Sequence, residues 1–220
     1  MGERIEIDTP NGRIGGWQAS PDGKPRGGVV VIQEIFGINA HIRSVAERFA
    51  NHGYAAIAPA LFDPVERDVE LGYDSDGIAR GRDLVTAIGF GHALDSISAA
   101  ARVLQGKHLR TAAIGYCWGG SVAFLANTRL GLPAVSYYGA RTLPFAAEDA
   151  KAPLLFHFGE RDASIPPADI AAIRAAQPQA EVRVWPAGHG FNCDQRADYD
   201  ADSASKALAV TLGFLERELG

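Results

Sequence analysis

The chain has 220 residues, 47% hydrophobic and 21% charged, with a formal net charge of −5. That length suits one domain over residues 1–220 with a sizeable core, and the composition is that of a globular chain rather than a disordered one. The acidic balance, with no block of clustered Lys and Arg, gives no electrostatic reason to bind nucleic acid or an anionic membrane. The opening residues MGERIEIDTPNG lack the layout of a signal peptide. No apolar run approaches the ~20 residues of a membrane span, so a cytoplasmic location is expected.

In chain order, RIEIDTPNGRIGGWQASP carries two stretches of period-two alternation around Pro-Asn-Gly, a hairpin signal. The continuous run GGVVVIQ, Gly27 to Gln33, reads as a strand buried on both faces of a mostly parallel sheet. Ile42, Val45 and Phe49 then repeat at helical spacing up to a stop at Gly53. A strand follows at YAAIAPAL, then an irregular acidic stretch from Phe62 to Gly77, long enough to read as a binding loop. A helix is predicted from about Arg80 to Leu104, a strand at RTAAIGY, a helix from about Gly119 to Thr128, and strands at AVSYYG and PLLFHFG. A helix at PPADIAAIRAAQ, a strand at EVRVWP and a final helix lined by Leu208, Leu212, Leu215 and Leu219 complete the chain. Strands alternating with helices predict an α/β fold, a mostly parallel twisted sheet with helices on both faces. Ligands of such sheets bind beyond the carboxyl ends of the strands.

Gly115-Tyr116-Cys117-Trp118-Gly119 fits the pattern G-x-nucleophile-x-G, with cysteine at the nucleophile position. The glycines are needed because the strand-to-helix turn is tight, and the following helix points its positive end at the thiol. Asp162 follows the strand PLLFHFG and His189 follows EVRVWP, so nucleophile, acid and histidine occur in the order of the α/β hydrolases. Taken singly, Cys117 is more often a packed thiol, and Asp162 is as readily a turn acid and His189 a loop histidine; their shared placement favours catalysis. Of the other histidines, His41, His52 and His108 are expected to be exposed, and His157 to be a core residue with one hydrogen bond. Glu34, at the end of a buried strand and followed by Ile35 and Phe36, should be poorly solvated, with a raised pKa unless it is paired. Two cysteines without CxxC, HExxH or clustered histidines suggest free thiols and no metal; Cys193 is read as a packed thiol.

The segments VVVIQEIFGINAHIRSVAERFANHGYAAIAPALFD, GYCWGG, SYYGA, HFGERDASIP and AGHGFNCDQRADYDADSA closely resemble the dienelactone hydrolase family, the carboxymethylenebutenolidases. The resemblance runs from about Ile5 to Leu219. It implies an α/β-hydrolase fold and a triad of Cys117, His189 and Asp162, with Glu34 contacting the thiol. The amides of Ile35 and Trp118 would form the oxyanion hole. It implies hydrolysis of a small-molecule ester or lactone, dienelactone-like, through an acyl thioester, with neither metal nor organic cofactor and with a monomer expected. Family members hold the substrate carboxylate with arginines. The first would be Arg80 or Arg82; at the second position this sequence has Cys193, so Arg196 or Arg141 would have to substitute. Phe36 and Tyr137, with Tyr73, Trp118 and Phe191, are candidate pocket aromatics. The competing readings are a ligand-binding protein on a hydrolase scaffold and a thiol redox protein using Cys117 and Cys193.

Overall fold

The computed structural model describes residues 2–220. Its strands are β1 (Gly2–Thr9), β2 (Gly12–Ala19), β3 (Gly28–Ile32), β4 (Ala55–Pro59), β5 (Thr111–Tyr116), β6 (Ala134–Tyr137), β7 (Leu154–Gly159) and β8 (Glu181–Trp185). Its α-helices are α1 (Ala40–Asn51), α2 (Ser75–Gln105), α3 (Trp118–Leu130), α4 (Pro167–Ala176) and α5 (Ala201–Leu219). One eight-stranded sheet has the order β1-β2-β4-β3-β5-β6-β7-β8. The hairpin strands pair antiparallel, β2 runs antiparallel to β4, and every later pairing is parallel. This is the α/β-hydrolase sheet expected from the sequence.

Every residue of β3 and β5 is buried, which requires cover on both faces. Two consecutive glycines show what supplies it: a Cβ on Gly27 would press on Leu219 of α5, whereas one on Gly28 would press on Leu104 of α2. Successive strand residues point to opposite faces, so α5 and α2 lie on opposite sides. From β3 the chain crosses to β4 on one side and later returns as β5 on the other, so the ends of β3 and β5 flank the switch point where such sheets bind ligands.

Several expectations change in detail. α2 begins at Ser75, not near Arg80, because Asp74 accepts a 2.7 Å hydrogen bond from the Gly77 amide and caps it; Asp-Ser-Asp-Gly reads as a turn when the cap is not recognised. The predicted single helix is also broken at Gly89, at φ 62° and ψ 177°, a conformation open to glycine. By length and composition α2 is apolar enough to cross a membrane, contrary to the sequence reading; small residues dilute its apolar pattern. In this fold 56% of that stretch is buried inside the protein. In α5 the buried face centres on Ala207, Thr211 and Phe214, while Leu208 and Leu212 sit at its margin.

Two histidines are more deeply placed than their neighbours suggested. His41, expected to be exposed, is fully buried in the first turn of α1, its Nδ1 3.2 Å from Asp194 Oδ1. His157 makes two hydrogen bonds rather than one, accepting at Nδ1 from Trp185 Nε1 at 3.0 Å and meeting Thr211 Oγ1 through Nε2 at 3.0 Å. Burial pushes its imidazole down to about 3, so it is a neutral pin between β7, β8 and α5.

Candidate active site

The elbow after β5 is built from what its glycines lack. A Cβ on Gly115 would overlap the Gly119 carbonyl, and one on Gly119 would lie 2.6 Å from the Ile32 carbonyl oxygen. With both positions bare, the chain turns from β5 into α3 within one residue, and Cys117 takes φ 55° and ψ −121°. That left-handed backbone costs a cysteine about 1–3 kcal/mol, so the surroundings must hold it. The Cys117 amide donates to Tyr137 O at 3.0 Å and its carbonyl accepts from Gly120 N at 2.9 Å. The side chain is thereby raised, half-buried, at the N-terminus of α3.

Two loops bring the partners to it. The turn after β7 and the loop after β8 are tied together, Glu160 N donating to Trp185 O at 2.7 Å and Arg161 N to Ala187 O at 2.9 Å. His189 Nε2 lies 3.1 Å from Cys117 Sγ, and its Nδ1 lies 2.7 Å from Asp162 Oδ2. The other Asp162 oxygen accepts from Ser164 N at 2.8 Å, which fixes the carboxylate. Burial works against a charged His189, but the hydrogen bonds to Asp162 and Cys117 outweigh it and push the imidazole up to about 10. The ring therefore bridges a carboxylate and a sulfur, one through each nitrogen. The edge of the Tyr138 ring packs on His189 at a centroid distance of 5.2 Å; Tyr138, at φ 39°, was not anticipated.

Glu34 is buried as expected, at 1% exposure, but its partner differs. Its Oε1 pairs with Arg196 Nη1 at 3.2 Å and its Oε2 accepts from the Tyr73 hydroxyl at 3.2 Å, which in turn accepts from Asn39 Nδ2 at 3.0 Å. The sulfur's hydrogen-bond partner is His189, not Glu34. A buried carboxylate is best stabilised by a full opposite charge, and Arg196, 162 positions away in sequence, supplies it. Arg196→Met should therefore destabilise the fold by about 3 kcal/mol, because Glu34 is left buried and unpaired. Urea unfolding should show this loss, with partial recovery in the double variant carrying Glu34→Gln.

Cys193 is fully buried behind this pair. Burial first, then the Glu34 charge, pushes its thiol up to about 11, which keeps it protonated and counts against the redox reading. Glu34, His41 and Cys193 bring ligand atoms within 4.8 Å of one another, a donor set of the type that binds zinc. The carboxylate is already engaged by Arg196 and Tyr73, and the guanidinium places a positive charge beside it that would repel a cation.

A cleft of about 220 Å³ opens over the sulfur. Ile35, Phe36 and Trp118 give it apolar walls, and Arg82, Arg141 and Arg196 give it cationic ones. Among the described residues, neither the Ile35 amide nor that of Trp118, the first residue of α3, donates to a protein acceptor. Phe36 packs on Tyr73 at 4.5 Å and Trp118 stacks on Phe62 at 6.0 Å. Two candidate binding residues are placed elsewhere. Arg80, midway between the cleft-lining Ile78 and Arg82 and so on another face of the helix, is taken up by an ion pair with Glu66. Tyr137 faces the core, stacked on Tyr116, and its hydroxyl is 2.6 Å from Thr211 Oγ1. Phe191, too, is fully buried. A smaller cleft of about 80 Å³, with Trp17 and Glu70 in its walls, includes none of Cys117, Asp162 and His189.

Comparison with known proteins agrees with this architecture. The sequence profile of the dienelactone hydrolase family matches residues 14–219. A Synechocystis sp. protein, provisionally assigned as a carboxymethylenebutenolidase, is 36% identical over 239 residues, spanning 98% of this chain and 96% of that one. The carboxymethylenebutenolidase of Pseudomonas putida is 31% identical, over 97% of this chain and 95% of its own. The crystal structure of a provisionally assigned dienelactone hydrolase from Klebsiella pneumoniae superposes with a TM-score of 0.85 at 29% identity, covering 97% of each chain.

Proposed function

The chain belongs to the dienelactone hydrolase family, and on that premise we propose that it hydrolyses a small ester or lactone through an acyl thioester on Cys117. The observation that carries this reading is the continuous line from Cys117 Sγ through His189 to Asp162, at 3.1 Å and 2.7 Å. His189 Nε2 is within hydrogen-bond reach of the sulfur, placed to take the thiol's proton as the sulfur attacks, and the helix terminus beneath adds a favourable dipole.

The steps follow from the placement of these groups. The sulfur attacks the carbonyl carbon, and the oxygen becomes an oxyanion facing the amides of Ile35 and Trp118. As the tetrahedral intermediate collapses, the carbon–oxygen bond breaks and His189 Nε2 gives its proton to the departing oxygen; a lactone opens without releasing a fragment. His189, now neutral, takes a proton from water, the hydroxide attacks the thioester, and the carboxylic acid leaves as the sulfur is expelled. Asp162 holds the ring with Nδ1 protonated throughout and stabilises the imidazolium.

The cleft also bears on the substrate. Arg82 and Arg141 line it and have no ion-pair partner among the described residues, whereas Arg196 is held by Glu34. A substrate with an apolar body and a carboxylate suits these walls, as a dienelactone does. Rapid quenching of the enzyme with p-nitrophenyl acetate should give a burst of nitrophenolate and an acetyl adduct on the Cys117 peptide, read by mass spectrometry. A full turnover with no adduct on that peptide in the pre-steady state would rule out the thioester.

A further inference from the structure

The segment leaving β3 is gripped from two sides. On one side Gly119 of α3 sits against the carbonyls of Ile32 and Gln33; a Cβ there would lie 2.6 Å from Ile32 O and closer still to Gln33 O. On the other side, Gly81 of α2 sits against Ile35, where a Cβ would overlap the carbonyl oxygen and lie 3.1 Å from both the carbonyl carbon and the Ile35 Cβ. Between these contacts lies the Ile35 N–H. The next carbonyl, that of Phe36, is tied down by Leu71 N at 2.9 Å. The half of α2 that carries Gly81 also carries Ile78 and Arg82, which line the cleft, and the Gly89 break separates it from the rest of the helix.

From this packing we propose that Gly81 is a positioning residue: its missing side chain lets α2 press its backbone onto Ile35 and fix the direction of the N–H that meets the oxyanion. The inference rests on the thioester reading above. It assigns no chemistry to Gly81 itself. Nothing about helix formation asks for glycine here, since alanine favours a helix more, so a loss of activity in Gly81→Ala would run against the local preference.

The test compares hydrolysis with alkylation. Iodoacetamide consumes the Cys117 thiolate without forming an oxyanion, so a displaced Ile35 amide should leave it untouched. Gly81→Ala is expected to lower kcat for p-nitrophenyl acetate by about tenfold or more, with KM and the iodoacetamide rate within about twofold of wild type. Gly77→Ala is the matched control: a Cβ there overlaps the Gly72 carbonyl, on the same half-helix but not on Ile35, and kcat should be retained. The proposal is overturned if Gly81→Ala keeps its kcat, if alkylation falls in step with hydrolysis, or if Gly77→Ala loses as much. Should Gly81→Ala not fold, the pair Leu84→Ala and Ile97→Ala decides. Both side chains are buried, but they lie on opposite sides of the Gly89 break. Only Leu84→Ala should lower kcat, and equal effects would overturn the proposal. Failure of the thioester reading is separately visible, as turnover surviving in Cys117→Ala.

Discussion

Cys117→Ala should lower kcat by about 10⁴-fold or more for any ester that the wild type turns over, with the fold retained. The size of the effect follows from the chemistry. On the proposed thioester route, removing the sulfur removes the covalent intermediate, and His189 is left at best to direct water at the carbonyl. The retained fold follows from the local geometry. Alanine also has a Cβ, so the strain at φ 55° is unchanged, and the two backbone hydrogen bonds that hold the elbow do not involve the side chain. Only a half-buried thiol is removed. Steady-state rates with p-nitrophenyl acetate, alongside thermal unfolding by circular dichroism, separate the two quantities. Turnover within tenfold of wild type in a folded Cys117→Ala protein would mean that the nucleophile has been misidentified.

Asp162→Asn ranks second, with an expected fall in kcat of about 10³–10⁴-fold. The amide has the shape of the carboxylate and can keep the bond from Ser164 N, so the loop should hold its place. What it removes is the charge that stabilises an imidazolium and the acceptor that keeps the proton on Nδ1. In the wild type His189 is pushed up to about 10 from 6.5, against the effect of its burial. The sign of the linked stability follows: a raised folded pKa contributes stability that is fully present below about 6.5 and is lost as pH rises through about 10. In Asp162→Asn the imidazole pKa should fall, so the wild-type advantage in stability should shrink across that window. The iodoacetamide rate of Cys117 against pH should change shape with it. An unchanged alkylation profile together with unchanged kcat would show that the Asp162–His189 contact has no part in the reaction.

Much of this site is legible in the chain because its pieces are local. The five residues around Cys117 carry their own reason for a sharp turn, and at both glycines neighbouring backbone passes too close to admit a Cβ. The order of Cys117, Asp162 and His189, each after a β-branched or aromatic run, fixes the edge of the sheet on which they stand, since parallel strands share a carboxyl end. The errors lie where the deciding neighbour is distant in sequence or carries no periodic signal. Arg80 and Arg82 are two residues apart and equally basic, yet only Arg82 lines the cleft, because Glu66 from the preceding loop captures the other. Tyr137 and Tyr138 are adjacent, but β6 ends at Tyr137, whose hydroxyl meets Thr211 of α5, while Tyr138, turned at φ 39° just beyond the strand, packs on the His189 ring.

Glu34 draws the line between the two kinds of information most clearly. That its side chain would be out of water, and would need a partner, follows from the apolar run that ends at Ile32 and from the residues on either side. That the partner would be Arg196 does not follow, because Coulomb attraction acts through space and the closing sheet brings dozens of side chains within reach of that carboxylate. The amino-acid sequence by itself determined the alternation of strands and helices, the elbow, and the order in which Cys117, Asp162 and His189 follow their strands, all of which depend on short-range sterics and periodicity. Only the folded chain decided which arginine neutralises Glu34, which tyrosine meets His189, and how closely α2 approaches Ile35. Those outcomes are set by packing between elements that the backbone brings together only once the sheet has closed.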